Sequence, residues 1–263
     1  MEKMVTTQPL DMLPIWAIYI LTVVILFFAE EAGFRSGMLV QKRWPDQSEA
    51  SVGIMVGAAL ALLGFLLALV TSIAMGNFNQ RRQLVVLEAN TIGTTYLRAG
   101  YLADPYRTES RELLREYVDL RLKALDRADT ASAIARSEQI HDELWLLAEE
   151  VAKGDPGPTI ALYLSSLNQV IDLHSERINA ELGYRVPPII VLGLYIVAVM
   201  TMILIGVYNS YREKHNLIAL ITVVLIVAVV FFVIIDMDRS NVGLLQIPQK
   251  ALIDLQQKLI LTP

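Results

Sequence analysis

Between Glu49 and Arg81 the chain runs 31 residues without one ionisable side chain. A helix rises about 1.5 Å per residue and a bilayer's hydrocarbon core is about 30 Å thick, so this stretch can cross with residues to spare. Three further segments share the property. From Arg185 to Arg212 the only ionisable side chains are tyrosines, and Asn216 to Ile235 runs 20 residues uncharged. Leu13 to Ala29 is a shorter apolar run ending at Glu30 and Glu31, which can snorkel to the interface or face other helices. Four membrane-spanning helices follow, in two pairs, with a charge-rich region between the pairs.

Composition agrees with a chain partly solvated by lipid: 54% of its 263 residues are hydrophobic and the mean hydropathy is +0.48. The first span follows an acidic segment with only Lys3, lacks a small-residue cleavage site and runs straight into Glu30, Glu31 and Arg35, so it is expected to remain uncleaved. Cysteine is absent, which removes disulfides, thiolate metal sites and cysteine nucleophiles together. The formal charge of -5 and the interspersion of Arg with Glu speak against nucleic acid as a partner, since phosphate binding needs a basic stripe.

The sequence predicts an all-α chain. Residues 1–76 form a first transmembrane hairpin with spans at about 13–33 and 50–76; the far end of the first span carries Gly33 and Gly37. Residues 77–185 form a soluble helical insert, 186–239 a second hairpin with spans at about 187–211 and 216–235, and 240–263 a C-terminal tail. Lys42, Arg43, Trp44 and the Pro45-Asp46 turn make one short connector, and Arg212 to His215 the other. In the insert, Ile160, Leu164, Leu167, Ile171, His174, Ile178 and Leu182 step by three and four like a coiled-coil seam. Leu114, Tyr117, Val118, Arg121 and Leu125 mark a second amphipathic helix, and Ile140, Leu144, Leu147 and Val151 a third. Asn77 to Leu102 has no strong breaker before it, so the second span is expected to continue into the insert as one rod; Gly183 with Pro187 and Pro188 should bend the helix that enters span three. Four spans put both termini and the insert on one side. Arginine and lysine near the membrane ends are nearly balanced, and the Arg81-Arg82 pair abutting span two favours a cytoplasmic insert.

The second span has a face of small residues, Gly53, Gly57, Ala61, Gly64, Ala68 and Ser72, which either lets helices approach closely or leaves room for a pore lumen. The helix after it carries Glu88, Asn90, Thr91, Thr94, Thr95 and Arg98, either a buried hydrogen-bonded network or a hydrophilic vestibule. Asp236 and Asp238, with Arg239, close the fourth span; repeated by symmetry they would form an acidic ring, and singly they would cap the boundary or pair with Arg239. His141, His174 and His215 lack the one-turn spacing of zinc enzymes, and neither a phosphate-binding glycine loop nor a nucleophile elbow occurs. No catalytic residue, metal site or cofactor is expected, and the chain does not read as an enzyme.

The run from Arg81-Arg82-Gln83-Leu84 through Glu88-Ala89-Asn90-Thr91-Ile92-Gly93-Thr94-Thr95-Tyr96-Leu97-Arg98-Ala99 resembles a signature of a prokaryotic bestrophin-like membrane family with no assigned function. Glu31-Ala32-Gly33-Phe34, Gly64-Phe65-Leu66-Leu67-Ala68 and Arg115-Glu116-Tyr117-Val118-Asp119 resemble it too, and the layout covers nearly the whole chain. After span four the family often shows Asp-x-Asp-Arg-Pro; here Asp236, Asp238 and Arg239 are followed by Ser240, Asn241 and Gly243, so that turn is not carried over. The resemblance implies a homo-oligomer, a pentamer in bestrophins, with a central ion pathway and a cytosolic helical portion. Bestrophins are associated with anions, whereas the acidic residues here would suit cations if they faced a lumen.

The expected function is therefore an oligomeric ion channel in the cell (inner) membrane, its pore lined by the second span and its extension, with the lipid bilayer, further copies of itself and inorganic ions as partners. The alternative is a non-conducting scaffold or sensor whose helical bundle binds a partner protein through the seam from Ile160 to Leu182. A transporter ranks behind both, since no charged residue lies mid-span and only glycines interrupt the helices.

Overall fold

The computed structural model describes residues 13–43, 49–124, 130–154, 156–211, 217–239 and 243–261. Among these are eight helices and no strand: α1 (Ile15–Arg43), α2 (Glu49–Ala99), α3 (Tyr106–Lys123), α4 (Thr130–Gly154), α5 (Pro158–Gly183), α6 (Pro188–Ser210), α7 (Leu217–Asp238) and α8 (Lys250–Leu261). Helices α1, α2, α6 and α7 are long and apolar enough to cross a membrane. The expected connectors at Pro45-Asp46 and Arg212 to His215 lie outside the described residues.

As the sequence suggests, α2 passes Gly76 without a break; its 51 residues span about 77 Å at about 1.5 Å per residue. The other junction resolves differently. Instead of bending one helix, Gly183 ends α5 and Pro188 sits in the first turn of α6, where its missing N–H has no intrahelical partner to lose. The chain forms two compact units: Met1–Phe78 with Tyr184–Gln246, and Asn79–Gly183 with Ile247–Pro263.

In the first unit α1 lies along α6 and α7. Glycines set how close α1 and α6 come: a Cβ on Gly33 would strike the Ile203 backbone, and one on Gly206 would strike the carbonyl of Glu30 and the amide of Phe34. A Cβ on Gly37 would meet the Ser210 side chain and the Val207 Cα. Gly33 and Gly37 thus form a small-xxx-small pair whose missing side chains let two backbones touch. Polar side chains fix the register along this seam. Thr22 Oγ1 and Tyr195 Oη are 2.6 Å apart, Asn209 Nδ2 donates to Glu30 Oε1 at 2.8 Å, and Gln41 Nε2 donates to Ser210 Oγ at 3.0 Å. Around them, Leu26, Leu63, Leu67, Val70, Met202, Val224 and Phe231 fill the core. Outward, Ile54, Phe65, Met200 and Ile218 are largely exposed, a surface that water would penalise and hydrocarbon accepts.

The second unit is a bundle of α3, α4, α5, α8 and the last turns of α2 around Ile92, Tyr96, Leu114, Tyr117, Ile140, Leu144, Tyr163 and Leu167. The expected seam of α5 is spent inside it, with Ile160, Leu167 and His174 buried. Residues 250–261, assigned above to a tail, form an amphipathic helix that packs on α3 through Leu252, Leu255 and Leu259. Arg115 Nε donates to the Leu259 carbonyl at 3.1 Å, satisfying a C-terminal acceptor of α8, and Gln256 Nε2 donates to Asp119 Oδ1 at 2.6 Å.

The α1–α6 crossing predicts opposite outcomes for one substitution at two glycines of α6. Gly193→Ala meets open space and should be neutral or stabilising by up to about 1 kcal/mol through reduced chain entropy. Gly206→Ala should destabilise by about 1–3 kcal/mol, because its Cβ meets backbone that no rotamer change relieves. Thermal unfolding of the two variants in detergent checks this.

Candidate functional site

Two features bear on function: the outward face of α2 in the first unit, and a buried ionic cluster in the second.

Along the membrane half of α2, Val52, Val56, Leu63, Leu67, Val70 and Ala74 turn inward, while Gly57, Ala61, Gly64, Ala68 and Ser72 are exposed. A Cβ on Gly57 or Gly64 would meet nothing within 4 Å. Among the described residues, Gly57 and Gly64 thus serve no packing contact and Ala61, Ala68 and Ser72 stay exposed, while Gly53 approaches the Tyr208 ring. The α1–α6 seam, built from Gly33, Gly37 and Gly206, is where small residues join helices inside this unit.

The polar set of the α2 extension divides. Glu88 and Thr95 are buried, Thr91 and Arg98 half-buried, and Asn90 and Thr94 exposed. Thr95 Oγ1 donates back to the Thr91 carbonyl at 2.9 Å, and Arg98 Nη1 donates to the Leu162 carbonyl at 2.7 Å. Only Glu88 enters a network of charged side chains.

That network draws on α2, α3 and α5. Glu88 is fully buried; Arg121 Nε lies 3.0 Å from its Oε1, and Arg177 pairs with its Oε2. Arg177 also reaches Glu181 at 3.1 Å. Tyr117 Oη donates to Glu88 Oε1 at 2.9 Å and stands 3.1 Å from His174 Nδ1. Because the hydroxyl proton goes to the carboxylate, the tyrosine oxygen accepts from His174 Nδ1–H, which fixes the neutral tautomer. His141 of α4 completes the cluster, its ring 4.8 Å from that of His174 and 4.9 Å from that of Tyr117. Burial pushes the Glu88 carboxyl up, but the guanidinium groups of Arg121 and Arg177 outweigh it and hold the group below its usual range. For Tyr117, burial and then the Glu88 charge raise the phenol well above its ordinary value. The histidines go the other way: burial lowers His174 to about 3, with Arg121 adding to the effect, and His141 to about 4. Tyr117, Arg121 and Arg177 form no recognisable site in sequence. The available signal was a charged or polar residue in a buried register: Arg121 four residues after Tyr117 on the apolar stripe of α3, and His174 in the seam of α5.

The two acidic residues closing α7 are engaged within their own chain. Asp236 accepts from the backbone N–H of Leu244 and Leu245 at 2.9 and 2.8 Å, and Gly243 passes so close that a Cβ would collide with the carboxylate. Asp238 accepts from the Val186 N–H at 2.6 Å and from Arg185 Nε at 3.2 Å. Arg239 donates to the Leu13 carbonyl at 2.7 Å. Among the described residues no group of three or more His, Cys, Asp or Glu is placed to hold a metal ion.

Four membrane-length helices and a helical second unit define an all-α membrane protein. The family model of the Bestrophin-like domain matches residues 16–252, and the chain belongs to that family. Among solved structures, a crystal structure of a membrane protein is similar with a TM-score of 0.59 at 13% identity, covering 92% of this chain and 95% of that one; the likeness is one of fold. No curated protein matches the chain.

The cluster predicts a graded response to substitution. Glu88→Ala leaves two buried guanidinium groups without their shared carboxylate and should cost about 3–5 kcal/mol, whereas Tyr117→Phe removes one hydroxyl and should cost about 1–3 kcal/mol. Denaturation of the detergent-solubilised chain, followed through Trp145 of α4, gives the order.

Proposed function

We propose that the chain assembles as a homo-oligomeric bestrophin-like ion channel, a pentamer by analogy with bestrophins, whose pore is lined by α2 and its extension. The observation that carries the reading is the α2 face. Among the described residues, Gly57, Ala61, Gly64, Ala68 and Ser72 are exposed and Gly57 and Gly64 have open space beside them, although small residues in membrane helices ordinarily permit close approach. Such a face belongs either against a neighbouring copy or along a lumen, and in a ring of copies it serves both at different depths. In this arrangement α1–α2 and α6–α7 are the two membrane hairpins, the second unit lies on the cytoplasmic side of the inner membrane, and inorganic ions are the cargo. Beyond the span, exposed Arg82, Asn90 and Thr94 and the half-buried Thr91 continue the wall with polar side chains. The partners of Asp236 and Asp238 favour a role in closing the end of α7 over an acidic ring. With Glu88 buried, the α2 wall from Gly57 to Thr94 presents no exposed carboxylate.

The scaffold alternative draws on the seam of α5, but that seam is buried in its own bundle, which leaves less of it to a partner protein.

Flux from liposomes reconstituted with the purified oligomer tests the proposal. Wild type should release a small-ion gradient, and Gly64→Leu should cut the rate at least tenfold while the oligomer keeps its size on gel filtration. Loss of the oligomer in Gly64→Leu would assign the face to packing alone, and an intact wild-type oligomer that passes neither cations nor anions would overturn the channel.

A further inference from the structure

The imidazoles of His141 and His174 sit 5% and 2% exposed in the middle of the second unit, edge to face, and no part of the proposed conduction pathway uses them. Their Nδ1 and Nε2 atoms are not equivalent. His174 Nδ1 is committed to Tyr117 Oη, while Nε2 of both rings is buried with no hydrogen-bond partner among the described residues. A neutral ring tolerates this, because an unused acceptor lone pair costs little beside an unpaired cation. A protonated ring does not, since its new N–H would have no acceptor among the described residues.

The charges around the pair act in both directions. From α2 comes Glu88; from α3, Tyr117 and Arg121; from α4, Asp142 beside His141; from α5, Arg177 and its partner Glu181. From α8 the same core receives Leu252, Leu255 and Leu259. Glu88 favours a proton on either ring, but burial first, with the Arg121 guanidinium beside it, outweighs that attraction and keeps both rings neutral.

We propose that His141 and His174 form an acid-operated latch: protonation of the pair drives the α4–α5 side of the bundle away from Glu88, opening the second unit while the helices of the first remain folded. The device is independent of whether the oligomer conducts.

The sign follows from linkage. Both histidines titrate lower in the closed bundle, at about 4 and about 3, than the ordinary value of 6.5 they regain when exposed. The closed form is therefore fully favoured above pH 6.5 and loses stability as pH falls below it, until the closed rings themselves protonate. Glu88 cannot cause an effect in the upper part of this window, because its pKa lies below the ordinary 4.5 in the closed state and would rise only to that value on opening.

Hydrogen exchange of the full chain in detergent, corrected for intrinsic rates, tests the latch. Between pH 7 and pH 5 the opening constant of segments 137–144 and 170–177 should rise about twentyfold for each ring, several hundredfold for the pair. Protection in α6 and α7 should be unchanged. In the double variant His141→Phe with His174→Gln, whose glutamine can still donate to Tyr117, the rise should be less than about threefold. A double variant that opens as far as wild type, or a wild type that stays closed at pH 5, overturns the latch. Should the variant fail to fold, the wild type decides through the histidine resonances: rings that protonate in step with loss of protection support the proposal, and rings that protonate while protection is retained contradict it.

Discussion

One helix, α2, contributes to both units, and much of the molecule follows from how it meets the different demands of each. Within hydrocarbon no backbone polar group can look to water, so the chain from Glu49 to Gly76 stays helical through four glycines that would weaken a helix in water. Beyond Gly76 the same helix belongs to the second unit, where it buries an apolar face made of Leu84, Val85, Ala89, Ile92 and Tyr96. In the membrane half the large side chains can point outward and the small ones need not pack. In the bundle half the requirement reverses, and a single carboxylate, Glu88, is carried into the core.

That carboxylate explains the polar interior of the bundle. A buried charge must be paired, and Glu88 is answered by arginines on α3 and α5 and by a tyrosine hydroxyl that in turn orients a histidine. Replacing such a group of charges with well-fitted apolar side chains often stabilises a protein, so its presence argues for something other than raw stability. Register among three helices, and the response to acid developed above, are two uses of the same geometry.

Much of the architecture was legible in sequence because it rests on local signals. Uncharged runs marked the apolar helices, three-four spacing marked α3 to α5, and the absence of a breaker at Gly76 announced the continuous α2. The cluster was not legible, because the partners of Glu88 lie 29, 33 and 89 residues away, at Tyr117, Arg121 and Arg177, and one sequence gives no means of pairing them. The same holds for Asp238, whose partners include Arg185 and the Val186 amide, more than 50 residues away in sequence. Gly33 and Gly37 were visible, but their use depended on finding Gly206 opposite. Helix α8 lies in the segment that reads as a tail in sequence; a 12-residue amphipathic segment has little helical signal of its own and gains its stability from packing on α3.

The central claim is that the small-residue face of α2 meets water inside an assembly. The chain contains no cysteine, so single cysteines placed at positions 53 to 76 report without background. Labelling of the membrane-embedded oligomer with a membrane-impermeant thiol reagent is the most direct test. Reactivity recurring every three or four residues at 57, 61, 64, 68 and 72, with 63, 67 and 70 protected, is the predicted result. Uniform protection from 57 to 72 in an intact, folded oligomer would contradict it.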